Sequence, residues 1–488
     1  MKKILLLLAC ITLYSVVNAQ PPKYYRVKIF TDDRGLAQLA LKGLAIDHGE
    51  YKKGAYFIGE FSQAELNTIK KSSYRYEILI SDMSAYYAAR SKKETVPLEN
   101  PVLTCSYPTP VNFKLGSMGG FYTYTEMLNI LDSMRKKYPN LISIKKPVSA
   151  ITTGGGNLLY YVRISNNPNI EQNKPKLLYT ALHHAREPES LTQLIFFMWY
   201  LLENYATDAD VQTIINSDEL YFIPCVNPDG YLYNQQTNPN GGGLWRKNRR
   251  NNGNGTYGVD LNRNYGYKWG YDNYGSSPYT LDETYRGPSA FSEPETQIVA
   301  DFCTAYHFIG ALNNHTYSNV FIYPYGYKPK TYTKDSALYA REARRLTQCN
   351  HFFTGTVYEA LGYLANGDSD DWMYGEQTTK PKIFAATPET GSYLDGFWPA
   401  PNRIIPLSAG NLEMNLDAAK DIATLAFNEF AKINSSGYSE QVIANKNPLL
   451  IYPNPSKGKF IVTINENANM QSVKISDRFG KIIFNNSL

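Results

Sequence analysis

Apolar positions recur along this chain in changing rhythms. Tyr25–Phe30, Ala55–Phe61 and Tyr76–Ile80 alternate or run apolar as strands do, while Leu36–Leu44 and Gln63–Lys71 carry helical spacing. This order predicts a small α+β domain over residues 20–84. Residues 85–119 lose the rhythm, gain Pro and polar residues, and read as a linker. Within it, Arg90-Ser-Lys-Lys93 offers a protease a cutting site. A second pattern begins at Thr123, where Thr123 and Glu126 form a capping box and Met127, Leu131, Met134 and Tyr138 share one helical face. Strand-like runs follow at Leu158–Ile164, Lys176–Leu182, Leu220–Val226 and Ile309–Asn314. They alternate with helix-like Pro188–Tyr205 and Pro294–Tyr306. Strands alternating with helices over residues 120–433 predict an α/β domain whose mixed, mainly parallel sheet is flanked by helices.

The ends differ from this body. Lys2 and Lys3 precede the apolar stretch Ile4–Leu13, and Val17-Asn18-Ala19 fits a cut before Gln20, so residues 1–19 read as a secretory signal peptide. After helix-like Leu416–Ile433, residues 434–447 read as a polar linker. Short β runs around Ile451–Pro455, Lys459–Ile464, Val473–Ser476 and Gly480–Phe484 predict a small β domain over 448–488. Composition narrows the class: 43% apolar residues exclude a disordered chain, and a formal charge of +5 gives no nucleic-acid footprint. No apolar run is long enough for a transmembrane anchor. Four cysteines remain after signal removal, and they allow three disulfide pairings among which the sequence does not choose.

The sharpest chemical feature is Ala181-Leu-His-His-Ala-Arg-Glu-Pro188. A strand ends, the chain turns, and Pro188 stands at the first helical position, where Pro is favoured. His184 and Glu187 therefore lie at the strand-end edge where α/β sheets bind ligands. They can aim one imidazole and one carboxylate at a single cation. Catalytic zinc takes three protein ligands and leaves a position open. His315, after the Ile309–Asn314 strand, is the candidate third ligand. His183 reads as a packed neighbour, and His48, His307 and His351 as structural.

The blocks His184-Ala-Arg-Glu187, Asn227-Pro-Asp-Gly230, Leu244-Trp-Arg-Lys247, Gly258-Val-Asp-Leu-Asn-Arg-Asn264, Glu283-Thr-Tyr-Arg-Gly287, His315-Thr-Tyr317, Ser369-Asp-Asp-Trp372 and Pro388-Glu389 occur in one order. Together they resemble the M14 family of zinc metallocarboxypeptidases. The resemblance implies one zinc ion held by His184, Glu187 and His315. It implies Glu389 as general base and Arg246 as stabiliser of the oxyanion. It implies that Asn262, Arg263 and Arg186 hold the terminal carboxylate of peptide or protein substrates with free C-termini. Tyr358 matches a mobile tyrosine that closes over that terminus, and Tyr317 a subsite tyrosine. Asp370 falls at the base of the side-chain pocket and points to Lys or Arg as the residue removed, or to mixed specificity. The N-terminal domain is similar to the prodomain of such enzymes, or serves as a permanent accessory domain. Ile451-Tyr-Pro-Asn-Pro455 and Gly480-Lys-Ile-Ile resemble the C-terminal sorting domain of the type IX secretion system. That resemblance implies use of a secretion machinery and an extracellular or surface-attached destination. Two other readings stand beside this one: a cell-wall peptide hydrolase on the same scaffold, and a non-catalytic surface binding module.

Overall fold

The computed structural model describes residues 22–92 and 103–421, together with the backbone of four strands beyond residue 448. The chain divides into two compact units between Ala423 and Thr424.

In the N-terminal domain, β1 (Tyr24–Ile29), α1 (Asp33–Leu41), β2 (Glu50–Lys52), β3 (Tyr56–Ser62), α2 (Gln63–Lys71) and β4 (Tyr76–Ile80) follow one another. The strands form an antiparallel sheet in the order β2-β3-β1-β4. Ser62 and Glu65 close a reciprocal capping box that starts α2 directly at the end of β3. The expected linker is corrected at its start, because α3 (Met83–Arg90) occupies it. Asp82 caps this helix by accepting from Ala85 N, and the helix buries Met83, Tyr87 and Arg90. Arg90 donates to the carbonyls of Leu394 and Asp395, and Phe397 N donates to the Tyr87 hydroxyl. The helix is thus tied to the larger domain, which a linker reading of its polar surface missed.

The larger domain contains α4 (Tyr124–Lys137), β5 (Lys146–Pro147), β6 (Tyr160–Ile164), β7 (Lys176–Ala181), α5 (Pro188–Asn204), α6 (Ala209–Ser217), β8 (Glu219–Ile223) and α7 (Pro228–Thr237). It continues through α8 (Pro294–Tyr306), β9 (Gly310–Asn314), β10 (Val320–Ile322), α9 (Ser336–Leu346), β11 (Phe353–Gly355) and α10 (Val357–Leu361). It then adds α11 (Ser369–Gly375), β12 (Phe384–Glu389) and α12 (Pro401–Gly410). The eight strands run β11-β10-β12-β9-β7-β8-β6-β5. The inner β12, β9, β7 and β8 are parallel, while β10, β6 and β5 pair antiparallel with their inner neighbours. The sheet is mixed with a parallel centre, and its inner strands are buried on both faces, as helices on both sides require. Helix α5 is buried from Pro188 to Leu202, with polar Glu189, Ser190, Thr192 and Gln193 in its first turns and an apolar run from Leu194 to Leu202. The helix expected over Leu416–Ile433 is described from 412 to 421, and its remainder lies outside the described residues.

The two domains of the first unit share a hydrophobic core. Val27, Ile29 and Phe61 from the small sheet and Leu39 of α1 pack in one cluster with Val320 and Ile322 of β10 and Val357 of α10. Cys105 and Cys349 form a disulfide, which ties the segment after residue 102 to the end of α9. Cys225 and Cys303 are buried thiols. In the second unit, β13 (Leu449–Tyr452) pairs antiparallel with β14 (Ile461–Ile464), and β15 (Ser472–Ser476) with β16 (Ile482–Ser487).

Candidate active site

The site is built at the carboxyl ends of the parallel strands. At the end of β7, Leu182 adopts a left-handed φ of 55°, a conformation that costs a branched side chain about 1–3 kcal/mol. The turn it makes brings His184 and Glu187 back over the strand end. Asn227 braces this turn. Its Nδ2 donates to the carbonyls of His183 (3.1 Å) and Arg246 (3.4 Å), while its Oδ1 accepts from Gly230 N at the start of α7. A side chain at Gly230 would put its Cβ 2.5 Å from the Lys247 carbonyl, so the close approach of these segments requires glycine. His183 packs as expected, with Nε2 2.9 Å from the Tyr265 hydroxyl.

His315 follows β9 and is paired across to β12. Its N donates to the Pro388 carbonyl, and Thr390 N donates to its carbonyl, so Glu389 is held beside it. The Nδ1 atoms of His184 and His315 lie 3.1 Å apart, and Glu187 places Oε1 2.7 Å from the first and Oε2 2.8 Å from the second. All three side chains are buried. Burial alone would raise the Glu187 carboxyl, but the two imidazoles and their hydrogen bonds outweigh it and hold it well below the usual range. Two imidazole nitrogens facing each other across a carboxylate fit a cation between them, and this N₂O donor set suits zinc. Among the described residues, the other candidate cluster is Cys105, Cys349 and Glu413, whose sulfurs are joined to each other and are not available as thiolates.

Asp260, which the motif blocks contained but sequence reasoning left without a role, organises the next layer. Its Oδ1 accepts from Asn262 N and faces His184 Nε2 at 3.2 Å, and its Oδ2 accepts from Arg246 Nε (3.0 Å) and Nη2 (2.9 Å). A carboxylate on one ring nitrogen leaves the other free to bind metal. Burial opposes its charge, yet Arg246 and His184 hold the Asp260 carboxyl far below the usual range.

Of the predicted substrate contacts, Asn262, Arg263 and Asp370 line one cavity with His184 and Glu389. Arg263 is anchored by Nε to the Gly275 carbonyl and by Nη1 to the Asn262 carbonyl. Asn262 accepts from Ser369 N and places Nδ2 3.5 Å from His315 Nε2. Arg186 stacks on Phe397, 4.1 Å from the ring centre. Buried nitrogens of Arg186 (Nε, Nη1) and Arg246 (Nη1), the Tyr317 hydroxyl and Glu389 Oε2 have no hydrogen-bond partner. Unpaired buried polar groups are rare, and gathered in one cleft they mark a place for a ligand. Tyr358 stands apart, 41% exposed on α10.

Asp370 lines the cavity but spends both oxygens inside the protein, accepting from Asn313 Nδ2 and Thr387 Oγ1 at 2.7 Å each. Its neighbour Asp368, absent from the sequence reading, lines the cavity with an unpartnered Oδ2. Burial, with Asp368 close by, raises the Asp370 carboxyl to about 7, and burial raises Asp368 to about 6.

Two further residues belong to the N-terminal domain. Asp47 and His48, between α1 and β2, reach into the cavity, so His48 is not the merely structural histidine the sequence suggested. Asp47 Oδ2 lies 2.6 Å from Arg246 Nη2 and 3.7 Å from Arg263 Nη2. Burial opposes its charge, and the Arg246 guanidinium outweighs it, holding the carboxyl well below the usual range. Burial alone would lower the His48 imidazole, but the Asp47 and Glu389 carboxylates outweigh it and raise it to about 9. No spacing pattern signals this pair, because its partners lie more than a hundred residues away.

Two imidazoles and a carboxylate gathered at strand ends of an α/β sheet, beside a further buried carboxylate and guanidinium nitrogens without partners, are an arrangement suited to metal-assisted hydrolysis. The profile of the zinc carboxypeptidase family, peptidase M14, matches residues 127–414, more than half of the chain, and the chain belongs to that family. A secretion system C-terminal sorting domain matches residues 450–488. A metallocarboxypeptidase A-like protein of Trichophyton verrucosum is 32% identical over 244 residues, covering 48% of this chain and 55% of its own. Zinc carboxypeptidase A 1 of Anopheles gambiae is 30% identical over 300 residues, covering 60% and 66%. The chain thus spans between about half and two thirds of the length of these relatives. Carboxypeptidase A from Helicoverpa armigera shares the fold with a TM-score of 0.65 at 21% identity, over 83% of this chain and 99% of that one. Thrombin activatable fibrinolysis inhibitor does so with a TM-score of 0.63 at 21% identity, over 82% and 99%. Zinc is the family's metal, and the His184, Glu187 and His315 group can bind it.

Proposed function

We propose that this chain is a secreted zinc metallocarboxypeptidase that removes C-terminal residues from peptides and proteins. The observation that carries the reading is the His184, Glu187 and His315 donor group beside Glu389, at a cavity lined by His184, Arg263 and Glu389, with an arginine cluster already holding a carboxylate, that of Asp47. The Asp47 side chain acts there as a stand-in for the anionic end of a substrate.

Zinc bound at the triad supplies Lewis acidity toward the scissile carbonyl and activates water near neutral pH. Arg263, fixed by two backbone carbonyls, and Asn262 bind the terminal carboxylate, and the planar guanidinium selects its two oxygens. Arg246, oriented by Asp260, turns its unpartnered Nη1 to the oxyanion that develops in the transition state. Glu389, buried with an unpartnered Oε2, takes the proton from the attacking water and delivers it to the leaving amine. Arg186 and Tyr317 line the approach, and Tyr358 closes over the bound terminus from the rim.

Specificity follows from the acid pair. Asp370 is saturated by Asn313 and Thr387, so Asp368 Oδ2 presents the free oxygen, and together they favour Lys or Arg side chains over apolar ones. The N-terminal domain blocks the cleft until the chain is cut between exposed Lys92 and the disulfide at Cys105. Arg90 is buried in α3 and is a poor cutting point. The sorting domain directs export and, at the cell surface, attachment.

The test uses purified full chain, uncut and cut in that segment, against a peptide library with free and amidated C-termini. Release of single C-terminal residues from free ends by the cut form, with Lys and Arg fastest, is expected. Equal cleavage of amidated peptides would remove the exopeptidase reading.

A further inference from the structure

Glu389 is the last residue of β12, so its position depends on what holds the chain just beyond it. The backbone there is bonded to the segment that starts at His315. His315 N donates to the Pro388 carbonyl (2.9 Å), Thr390 N to the His315 carbonyl (3.0 Å), and Ser318 N to the Gly391 carbonyl (2.8 Å). Gly391 N donates to Asn319 Oδ1 at 3.0 Å. These bonds keep Glu389 and His315 together as one half of the site. His184 and Glu187 form the other half, at the end of β7 and the entry to α5.

The end of α12 bonds to both halves through buried side chains. Thr390 Oγ1 accepts from Asn411 Nδ2 at 2.6 Å, and both residues are wholly buried. Asn411 is the C-cap of α12, and its Oδ1 accepts from Asn350 Nδ2 at 3.4 Å. One turn earlier on the helix, Ser408 donates to Glu189 Oε1 at 2.8 Å. Glu189 lies in the first turn of α5, two residues after the ligand Glu187. At its other end, α12 holds the same turn again, with Arg403 Nε 2.8 Å from Asp395 Oδ1. A general base must sit within about 2.6–3.2 Å of the proton it takes. A misplacement of about 1 Å, caused far from the chemistry, can cost on the order of 10²-fold in rate. The Asn411–Thr390 bond acts on that distance, because Thr390 directly follows the base.

We infer that Thr390 and Asn411 are positioning residues of the hydrolysis, whose mutual hydrogen bond holds Glu389 in place to take its proton. The inference rests on the reading of Glu389 as general base and adds two residues that do not line the cavity. They stand 21 residues apart in the chain. Valine at position 390 keeps the shape of threonine but removes the oxygen. Asn411 Nδ2 is then buried without that acceptor, and the turn behind Glu389 loses its tie to α12. Serine keeps the oxygen and with it the tie.

The experiment asks whether Thr390 acts through Glu389. Full chain, cut between Lys92 and Cys105 and loaded with zinc(II), is prepared as wild type, Thr390→Val, Thr390→Ser, Glu389→Gln and the Thr390→Val, Glu389→Gln double variant. Peptides with free C-termini give kcat and KM, and chelator competition gives metal affinity. Thr390→Val should lower kcat about 10-fold and leave KM and metal affinity within about twofold of wild type. Thr390→Ser should stay within about threefold of wild type in kcat. On the Glu389→Gln background, Thr390→Val should cost less than about twofold, since no base is left to misplace. If Thr390→Val does not fold, the same cycle with Asn411→Ala in its place gives the same decision from the other side of the bond. An equal loss on both backgrounds, or a loss that serine does not restore, would make Thr390 merely structural and overturn the inference. Unchanged kcat in Thr390→Val beside a loss of at least ~10²-fold in Glu389→Gln would also overturn it and leave the base reading standing. Full turnover by Glu389→Gln would overturn the base reading and this inference together.

Discussion

Asp260→Asn is a nearly isosteric change whose consequences can be worked out atom by atom. The carboxylate is fully buried and meets donors from Asn262 N, His184 Nε2, and Arg246 Nε and Nη2. An amide offers one oxygen and one NH₂ group in their place. If the NH₂ faces Arg246, three donors meet with no acceptor between them. If it faces His184, the imidazole must accept at Nε2 and carry its proton on Nδ1, the atom that points to Glu187 and the metal. Breaking one side of a buried ion pair costs about 3–5 kcal/mol. Asp47, 2.6 Å from the same guanidinium, partly compensates, so about 3 kcal/mol is expected in the uncut chain. Metal affinity should fall about 10–100-fold through the second orientation. Chelator competition measures the affinity. Tryptophan fluorescence in urea reports unfolding of the larger domain, since all five tryptophans lie in it. A midpoint shift of about 1 M is expected for a slope of ~3 kcal/mol/M. Metal affinity within about twofold of wild type together with an unmoved midpoint would refute the role given to Asp260.

Further outcomes follow from the other site residues. Glu389→Gln should keep one metal per chain but lower kcat by at least ~10²-fold, and full turnover would remove Glu389 from the base role. Arg263→Ala should raise KM for free C-terminal peptides by about 10-fold or more and leave metal binding unchanged, as peptide kinetics and chelator competition will show. Asp370 and Asp368 carry folded values of about 7 and about 6, above the ~3.9 of an unfolded Asp. The folded state therefore binds more protons than the unfolded between pH ~4 and ~7, so their contribution falls as pH rises through that window. Asp370→Asn should raise stability by on the order of 2 kcal/mol at pH 8 and converge with wild type below pH ~4 in urea titrations. In the cut enzyme, Asp368→Asn should lower the preference for Lys and Arg ends more than Asp370→Asn does, read as a ratio of kcat/KM values.

Local order was legible in the sequence wherever a short-range rule governs. The capping box at Thr123, Pro188 opening α5 and the apolar runs that became β7, β8 and β9 all depend on residues a few positions apart. So did the placing of His184, Glu187 and His315 at strand ends, since a buried strand and the turn after it show in the pattern. Block order in the sequence also named Arg246, Asn262, Arg263 and Glu389, although it assigned nothing to Asp260 or Asp368. What needed the tertiary structure were contacts between segments far apart in the chain. Examples are the Cys105–Cys349 disulfide, α3 clasped by residues 394–397, the saturation of Asp370 by Asn313 and Thr387, and Asp47 and His48 set among Arg246, Glu187 and Glu389. Periodicity records which face of an element is buried, but not which distant surface buries it. A polar dipeptide in a loop, such as Asp47-His48, has no periodicity at all, and only the packing of one domain on the other gives it a partner.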